Sequence, residues 1–353
     1  MARKKAVVLG ATGMVGQRFV ALLSDHPDFE VVALAASERS ARKKYSDACK
    51  WMIEGEMPDW AAEEKVLLCE PGQVGKAVGD VDVCFSCLPG DLAGPAEEAF
   101  AKKWPVVSKA SAHRMEKDVP LIIPEVNPEH LELIEKQKKN RGWNGFISTD
   151  PNCSTTQMVI SLKPLVDKWG VESVEVVSMQ ALSGAGYPGV ASLDIVDNVV
   201  PFIDGEEEKV EQEPGKILGT LKGGRIAEYS AEFSAQCNRV NVREGHLECL
   251  FVTLGKGAEP EEVEKAMEKF SGEPQRLKLH SAPKQVIKVR KEENRPQPRL
   301  DRDEENGMTT VVGRVRKDAK GRIKYVCLGH NTLRGAAGNG VLHAELLKAK
   351  GMI

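Results

Sequence analysis

No stretch of the chain is apolar for long enough to cross a bilayer, and charge is not strongly biased: 49 Lys and Arg against 52 Asp and Glu give a net −3. The first absence excludes a transmembrane helix, and the second removes any global attraction to nucleic acid or to an anionic membrane. Basic pairs such as Lys43-Lys44 and Lys138-Lys139 sit among acidic residues and read as solvated faces. A signal segment is missing too: Met1-Ala2-Arg3-Lys4-Lys5 is basic, but Ala6-Val7-Val8-Leu9 reaches glycine too soon to form a signal core. The chain therefore reads as cytoplasmic. It has no internal repeat and no low-complexity tract.

Eight cysteines in 353 residues without a secretory context point to reduced thiols rather than a disulfide frame. Cys84 and Cys87 have a redox-like or metal-like spacing, but no second pair accompanies them. They fall in Val81-Asp82-Val83-Cys84-Phe85-Ser86-Cys87-Leu88, which reads as a strand, and a strand sends residues three apart to opposite faces. No metal site is expected.

What is present suits two cores of ordinary size: 41% hydrophobic and 29% charged residues over 353 positions. Ala6-Val7-Val8-Leu9 reads as a strand, Gly10-Ala11-Thr12-Gly13-Met14-Val15-Gly16 as a glycine turn, and 17–24 as a helix. In that context the glycines let backbone approach a pyrophosphate and the helix N-terminus faces the anion, which favours dinucleotide binding. The next strand, 30–35, ends at Ser37-Glu38-Arg39-Ser40, with Lys43 close behind. An NAD site would carry a carboxylate at that tip; Ser37, Arg39 and Ser40 suit a 2′-phosphate, so NADP is favoured, although Glu38 keeps an ordinary polar loop open.

Alternation continues with strands at 81–88, 105–108 and 121–123 and helices near 97–103 and 128–139, which argues for a doubly wound parallel sheet. A further apolar run stops at Ser148-Thr149-Asp150-Pro151-Asn152 and reopens as a helix near Cys153-Ser154-Thr155, with Ser154 or Thr155 as the cap. A thiol at a helix start has amide groups and the positive dipole end beside it, which favours thiolate. On these residues alone Cys153 is equally well a small buried residue at a turn. Beyond it the strands lengthen, at 173–179, 232–242 and 247–254, which points to an α+β second domain whose sheet supplies a subunit interface. Arg295-Pro296-Gln297-Pro298-Arg299 reads as extended, and an amphipathic helix carrying Val341, Leu342, Leu346 and Leu347 closes the chain.

Taken in order, the glycine turn through Arg18, Ser111-Ala112-His113-Arg114-Met115, Pro151-Asn152-Cys153-Ser154-Thr155, the segment 180–186, Cys237-Asn238-Arg239-Val240, Gly245-His246 and the segment 331–338 resemble the aspartate-β-semialdehyde dehydrogenase family, in its archaeal and fungal branch. The resemblance spans essentially the whole chain. It implies an NADP-binding domain over 1–149 completed by 331–353, and a catalytic and dimerisation domain over 150–330. It further implies Cys153 as nucleophile, His246 as acid/base and Gln180 as orienter of the acyl-enzyme. Arg239 would hold a substrate carboxylate, Glu213 its ammonium, and Arg114, Lys216 and Asn152 phosphate. Ser86, Leu88, Ser183, Gly184, Asn331 and Thr332 join the glycine turn around the cofactor. The chain departs from the family pattern at Lys109, where Asn is usual, and at Pro214-Gly215 inside the Glu213 segment.

The reaction so implied is reversible reductive dephosphorylation of L-aspartyl-4-phosphate by NADPH through a thioacyl-enzyme, in a homodimer or homotetramer that takes a small substrate and inorganic phosphate. Two rivals stand beside it: a malonyl-CoA reductase of the same family, and an NADP-binding sensor without catalysis.

Overall fold

Six short parallel strands form the first sheet: β1 (Lys4–Leu9), β2 (Phe29–Ala36), β3 (Leu67–Leu68), β4 (Val83–Ser86), β5 (Val106–Ser108) and β6 (Ile147–Thr149). The computed structural model that places them describes residues 2–353. Their spatial order is β3-β2-β1-β4-β5-β6. Winding reverses at β1, and a doubly wound sheet opens its ligand crevice at the carboxyl ends of the strands at such a switch. The strands are apolar because both faces are covered: all of β4 and the last four residues of β1 are buried. Cys84 packs into the core on one face and Cys87 into the core on the other.

The second sheet is mixed. Its strands are β7 (Val171–Gln180), then, past a small hairpin of β8 (Thr220–Lys222) and β9 (Arg225–Ala227), β10 (Glu232–Arg239), β11 (His246–Leu254), β12 (Ile287–Arg290), β13 (Thr310–Lys317) and β14 (Ile323–Gly329). They lie in the order β10-β7-β11-β14-β13-β12. The helix Cys153–Trp169 covers one face, where Met158, Val159, Leu162 and Leu165 share a core with Val174, Val176, Leu250 and Val252. On the other face the register sets Val177, Cys249 and Val326 in one row. Because the helix Cys153–Trp169 leaves the carboxyl end of β6 and packs on the second sheet, its first residue stands where the two layers meet.

The chain then returns. After β14, a π-helical turn Leu333–Ala337 leads into the helix Gly338–Ala349, whose Val341, Ala344, Leu346 and Leu347 pack with Val8, Phe19 and Phe85 of the first core. Among the described residues no helix is long and apolar enough to cross a membrane.

Three local readings change. Residues 121–123 give a single bridge, Leu121 to Thr149, because Ile123 N–H donates to Asn127 Oδ1 at 3.0 Å instead of extending a ladder. The helix read at 128–139 opens as a 3₁₀ turn, Pro128–Glu132, before the α-helix Leu133–Arg141. Pro298 starts a short helix, Pro298–Asp301, instead of continuing an extended segment. A proline at the first helical position loses no hydrogen bond, so the sequence signal admits both.

One buried ion pair ties the returning segment to the first half of the chain. Arg334, fully buried, donates from Nη1 to Glu125 Oε1 at 2.9 Å and from Nη2 to Oε2. Arg334→Met should lower unfolding free energy by about 3–5 kcal/mol, because Glu125 would keep a buried charge without its partner. Denaturant titration of both proteins measures this.

Candidate active site

The helix begins at Cys153 itself, and its cap is Asn152 rather than Ser154 or Thr155. Asn152 Oδ1 accepts from the backbone N–H groups of Ser154 at 2.8 Å and Thr155 at 3.2 Å. Its own backbone N–H donates to Glu213 Oε2 at 2.7 Å, and its Nδ2 to Glu206 Oε1 at 2.9 Å. Gly335 lies against the helix start so closely that a Cβ there would stand 2.8 Å from Cys153 Cβ. Burial pushes the Cys153 thiol up to about 12, helped by Glu206 and opposed by Arg114 and Arg239. The helix start and the two arginines together therefore still leave a thiol in the free protein.

Cys153 lies at the junction of two cavities. Gly13, Met14, Leu88, Ser183 and Asn331 line the first, and Gln180, Glu206, Lys209 and Arg239 the second. Leu88 is shared, and Lys109, Arg114, Asn152 and Gly184 also line both.

The first cavity is built for a dinucleotide. The helix Met14–Leu23 starts at Gly13 with no side-chain cap, which leaves its first amides open to an anion. A Cβ on Gly10, whose φ is +79°, would come 2.8 Å from Cys87 O, and one on Gly16 would collide with Gly10 O. Thr12 O accepts from Gln17 Nε2 at 3.2 Å, which ties the turn to the helix whose first residues are Met14 and Val15. Ser37, Arg39 and Ser40 turn off the end of β2 beyond the cavity wall, with Ser37 and Arg39 exposed. Ser86 is buried and its Oγ donates to Glu97 Oε1 at 2.6 Å, so it supports the floor and does not offer a free hydroxyl.

Asn331 and Thr332 join the crevice to the histidine loop. Asn331 Oδ1 accepts from Gly245 N–H and its Nδ2 donates to Ser183 Oγ, both at 2.8 Å. Thr332 Oγ1 accepts from Arg18 Nε at 3.1 Å, and Arg18 Nη2 grips both oxygens of Glu244 at 2.8 and 2.9 Å. Arg18 and His330 beside it hold the Glu244 carboxyl down at about 2, against the upward pull of burial.

In the second cavity the lining carries a Glu-x-x-Lys pair two helical turns before the pair expected from the sequence. Pro214 and Gly215 do not break the helix Glu206–Ile217. Glu213 does not face the cavity, because Arg114 Nη1 and Asn152 N–H, each at 2.7 Å, occupy its carboxylate. The Lys216 ammonium donates to the carbonyls of Arg114, Glu116 and Val119. Glu206 and Lys209, seven residues earlier on the same helix face, line the cavity instead, 3.6 Å apart. The two pairs repeat one Glu-x-x-Lys spacing along the helix.

Gln180 is buried at the end of β7, with Nε2 donating to Ser178 Oγ at 3.2 Å. Arg239, at the end of the neighbouring β10, is fixed by Nη1 donating to Ala181 O at 2.8 Å. His246 opens β11, with Nδ1 accepting from Ala181 N–H at 3.0 Å, so the neutral ring carries its proton on Nε2, which has no partner. Burial, then Arg239 and His330, drive its pKa down to about 3. Among the described residues no cluster of His, Cys, Asp and Glu has the makings of a metal site.

Two family models match the chain: semialdehyde dehydrogenase, NAD binding domain, over residues 5–134, and semialdehyde dehydrogenase, dimerisation domain, over 162–334. Aspartate-semialdehyde dehydrogenase of Methanothermobacter thermautotrophicus is 53% identical over 342 residues, covering 96% of this chain and 97% of that one. The chain belongs to the aspartate-semialdehyde dehydrogenase family. Another family structure, the Candida albicans aspartate semialdehyde dehydrogenase with NADP, superposes with a TM-score of 0.91 at 45% identity over 100% of both chains. Malonyl CoA reductase (NADP) of Metallosphaera sedula is 43% identical over 354 residues, covering 99% of this chain and 98% of that one.

Within this family site, Gly184 spaces two of the converging side chains. A Cβ there would stand 2.9 Å from Arg239 Nη1 and 3.1 Å from His246 Nε2. Gly184→Ala should cut kcat/KM roughly 10- to 100-fold by displacing both groups, with the melting temperature little changed. Steady-state kinetics and a thermal scan check the pair of outcomes.

Proposed function

We propose that the protein reduces L-aspartyl-4-phosphate to L-aspartate-4-semialdehyde with NADPH, reversibly, through a thioester on Cys153. The observation that carries the reading is the second cavity: a guanidinium, a carboxylate and a lysine surround a thiol and match the charges of an α-amino acid acyl phosphate. Arg239 pairs with the α-carboxylate, Glu206 with the α-ammonium, and Arg114 and Lys209 with the phosphate. Gln180 orients the acyl carbonyl. The turn 10–16, with Ser183, Gly184 and Asn331 across the crevice, holds the dinucleotide, and Ser37, Arg39 and Ser40 give it a 2′-phosphate preference. In this division 1–149 with 331–353 bind the cofactor, and 150–330 carry out catalysis.

In the forward direction the sulfur of Cys153 bonds to the acyl carbon as the carbon–oxygen bond to phosphate breaks, and the thiol proton leaves with inorganic phosphate. Bound NADPH would supply the hydride that reduces the thioester carbon. The oxyanion then collapses, releasing the aldehyde and the Cys153 thiolate, which takes up one proton. His246 Nε2–H faces the charge that develops at this step. A substrate carboxylate on Arg239 cancels one of the charges that keep the imidazole neutral, so protonation of His246 at Nδ1, with release of the Ala181 N–H, becomes accessible in the complex and Nε2–H returns the proton to sulfur. The uncovered face of the second sheet, where Val177 is exposed beside Cys249 and Val326, suits self-association as a homodimer or homotetramer.

Purified protein should reduce NADP when given aspartate semialdehyde and inorganic phosphate, and Glu206→Gln should raise KM for the aldehyde about 10- to 100-fold by leaving its ammonium unpaired. Oxidation of NADPH with malonyl-CoA, without phosphate-dependent turnover of the aldehyde, would contradict the assignment.

A further inference from the structure

Glu248 is a fully buried carboxyl that the proposed mechanism does not use. It lies on β11 two residues after His246 and on the same face, with Ser178 and Cys327 as its register partners on the neighbouring strands. The helix Cys153–Trp169 covers that face and meets the strands with a polar row, Ser154, Gln157 and Ser161, spaced three and four residues apart among apolar neighbours such as Met158 and Leu162. Two members of the row are tied to the sheet. Gln157 Nε2 donates to the His246 carbonyl, and Ser161 Oγ meets the Tyr325 hydroxyl, each at 2.9 Å. Gly329, the register partner of His246, makes room for the first of these, since a Cβ there would stand 2.2 Å from Gln157 Oε1. Ser154 is the third member, and it is the residue next to the nucleophile.

Burial drives the Glu248 pKa well up; Gln157 and Ser154 beside it draw it back, and Glu206 pushes it further up, so the carboxyl is protonated. In that form it can both donate and accept. Among the described residues neither of its oxygens nor Ser154 Oγ has closed a hydrogen bond. Polar groups buried this deeply are costly while unpaired, and loose bonds around a reaction centre tighten when substrate arrives. We infer that Glu248 is a positioning residue: its carboxyl ties Ser154, beside the nucleophile, to Gln157, which grips the first residue of β11, and so sets the spacing between Cys153 and His246. The inference deepens the proposed function and rests on it for the roles of those two residues. An apolar side chain of the same length would suit this core as well or better, so what the acid adds is the tie.

The test uses full-length protein and the variants Glu248→Met, Glu248→Gln and Ser154→Ala. In phosphate-dependent NADP reduction, Glu248→Met should lose about 10- to 100-fold in kcat with every KM within about twofold, while its melting temperature stays level or rises. Glu248→Gln, which keeps a donor and an acceptor, should stay within about fivefold of the unaltered protein. Ser154→Ala should lower kcat as well, and adding it to Glu248→Met should lower it little further, because the two changes cut one tie. Alkylation by iodoacetamide, followed on the Cys153 peptide, should slow about 10-fold in Glu248→Met and hold its rate in Glu248→Gln. Unchanged kcat and alkylation in Glu248→Met, a Glu248→Gln protein as impaired as Glu248→Met, or a loss of rate that tracks a falling melting temperature would overturn the tie. Alkylation needs no turnover, so failure of the proposed reaction and failure of the tie are read separately.

Discussion

Asn152 is held in three directions, and the site depends on it. Its side-chain oxygen caps the helix Cys153–Trp169, its backbone N–H reaches Glu213, and its amide nitrogen reaches Glu206. A capped helix start fixes the first residue's backbone, and that residue is the cysteine. Because both carboxylates belong to the helix Glu206–Ile217, the same contacts that seat Cys153 also set the wall of the second cavity. Behind that wall, Glu213 holds Arg114. The helix start that carries the thiol, the Arg114 guanidinium and the Glu206 carboxylate are thus one hydrogen-bonded unit.

A second network makes the dinucleotide crevice and the histidine loop parts of one assembly. Arg18, two residues past the glycine turn, holds Glu244, which lies two residues before His246. Asn331 bridges Gly245 and Ser183, and the π-helical turn that follows brings Gly335 against Cys153. Small residues at 335–338 are what permit this approach: Gly335 has no room for a Cβ, and the chain can then run into the first core through Val341 and Leu347. The returning segment thereby does more than fill the first layer; it sets the distance between layers.

Much of this was legible in the sequence. The change from short alternating strands to longer ones near Cys153 gave two layers of different kind, because period and length respond to burial on two faces or on one. The order of the motifs anticipated that Cys153, Gln180, Arg114 and Arg239 would share a neighbourhood. Side-chain commitments were not legible. Glu213 and Lys216 share a helix face with Glu206 and Lys209, and only the packing of that helix against Asn152 and Arg114 decides which pair meets the cavity. Asn331 lines the crevice and Ser86 lies buried beneath it, and their polar groups already bind Gly245, Ser183 and Glu97. The thiol was a further case: a helix start lowers a cysteine pKa, but burial at the junction outweighs it, and burial is a property of the whole fold.

The central claim is that the chemistry passes through a thioester on Cys153, and trapping that species tests it most directly. Protein mixed with aspartate semialdehyde and NADP in the absence of phosphate, then quenched in acid, should release a burst of about one NADPH per site and yield a Cys153 peptide heavier by one aspartyl acyl group. Adding phosphate should discharge the adduct. An unmodified Cys153 peptide with no burst, under conditions where phosphate supports steady turnover, would contradict the covalent account.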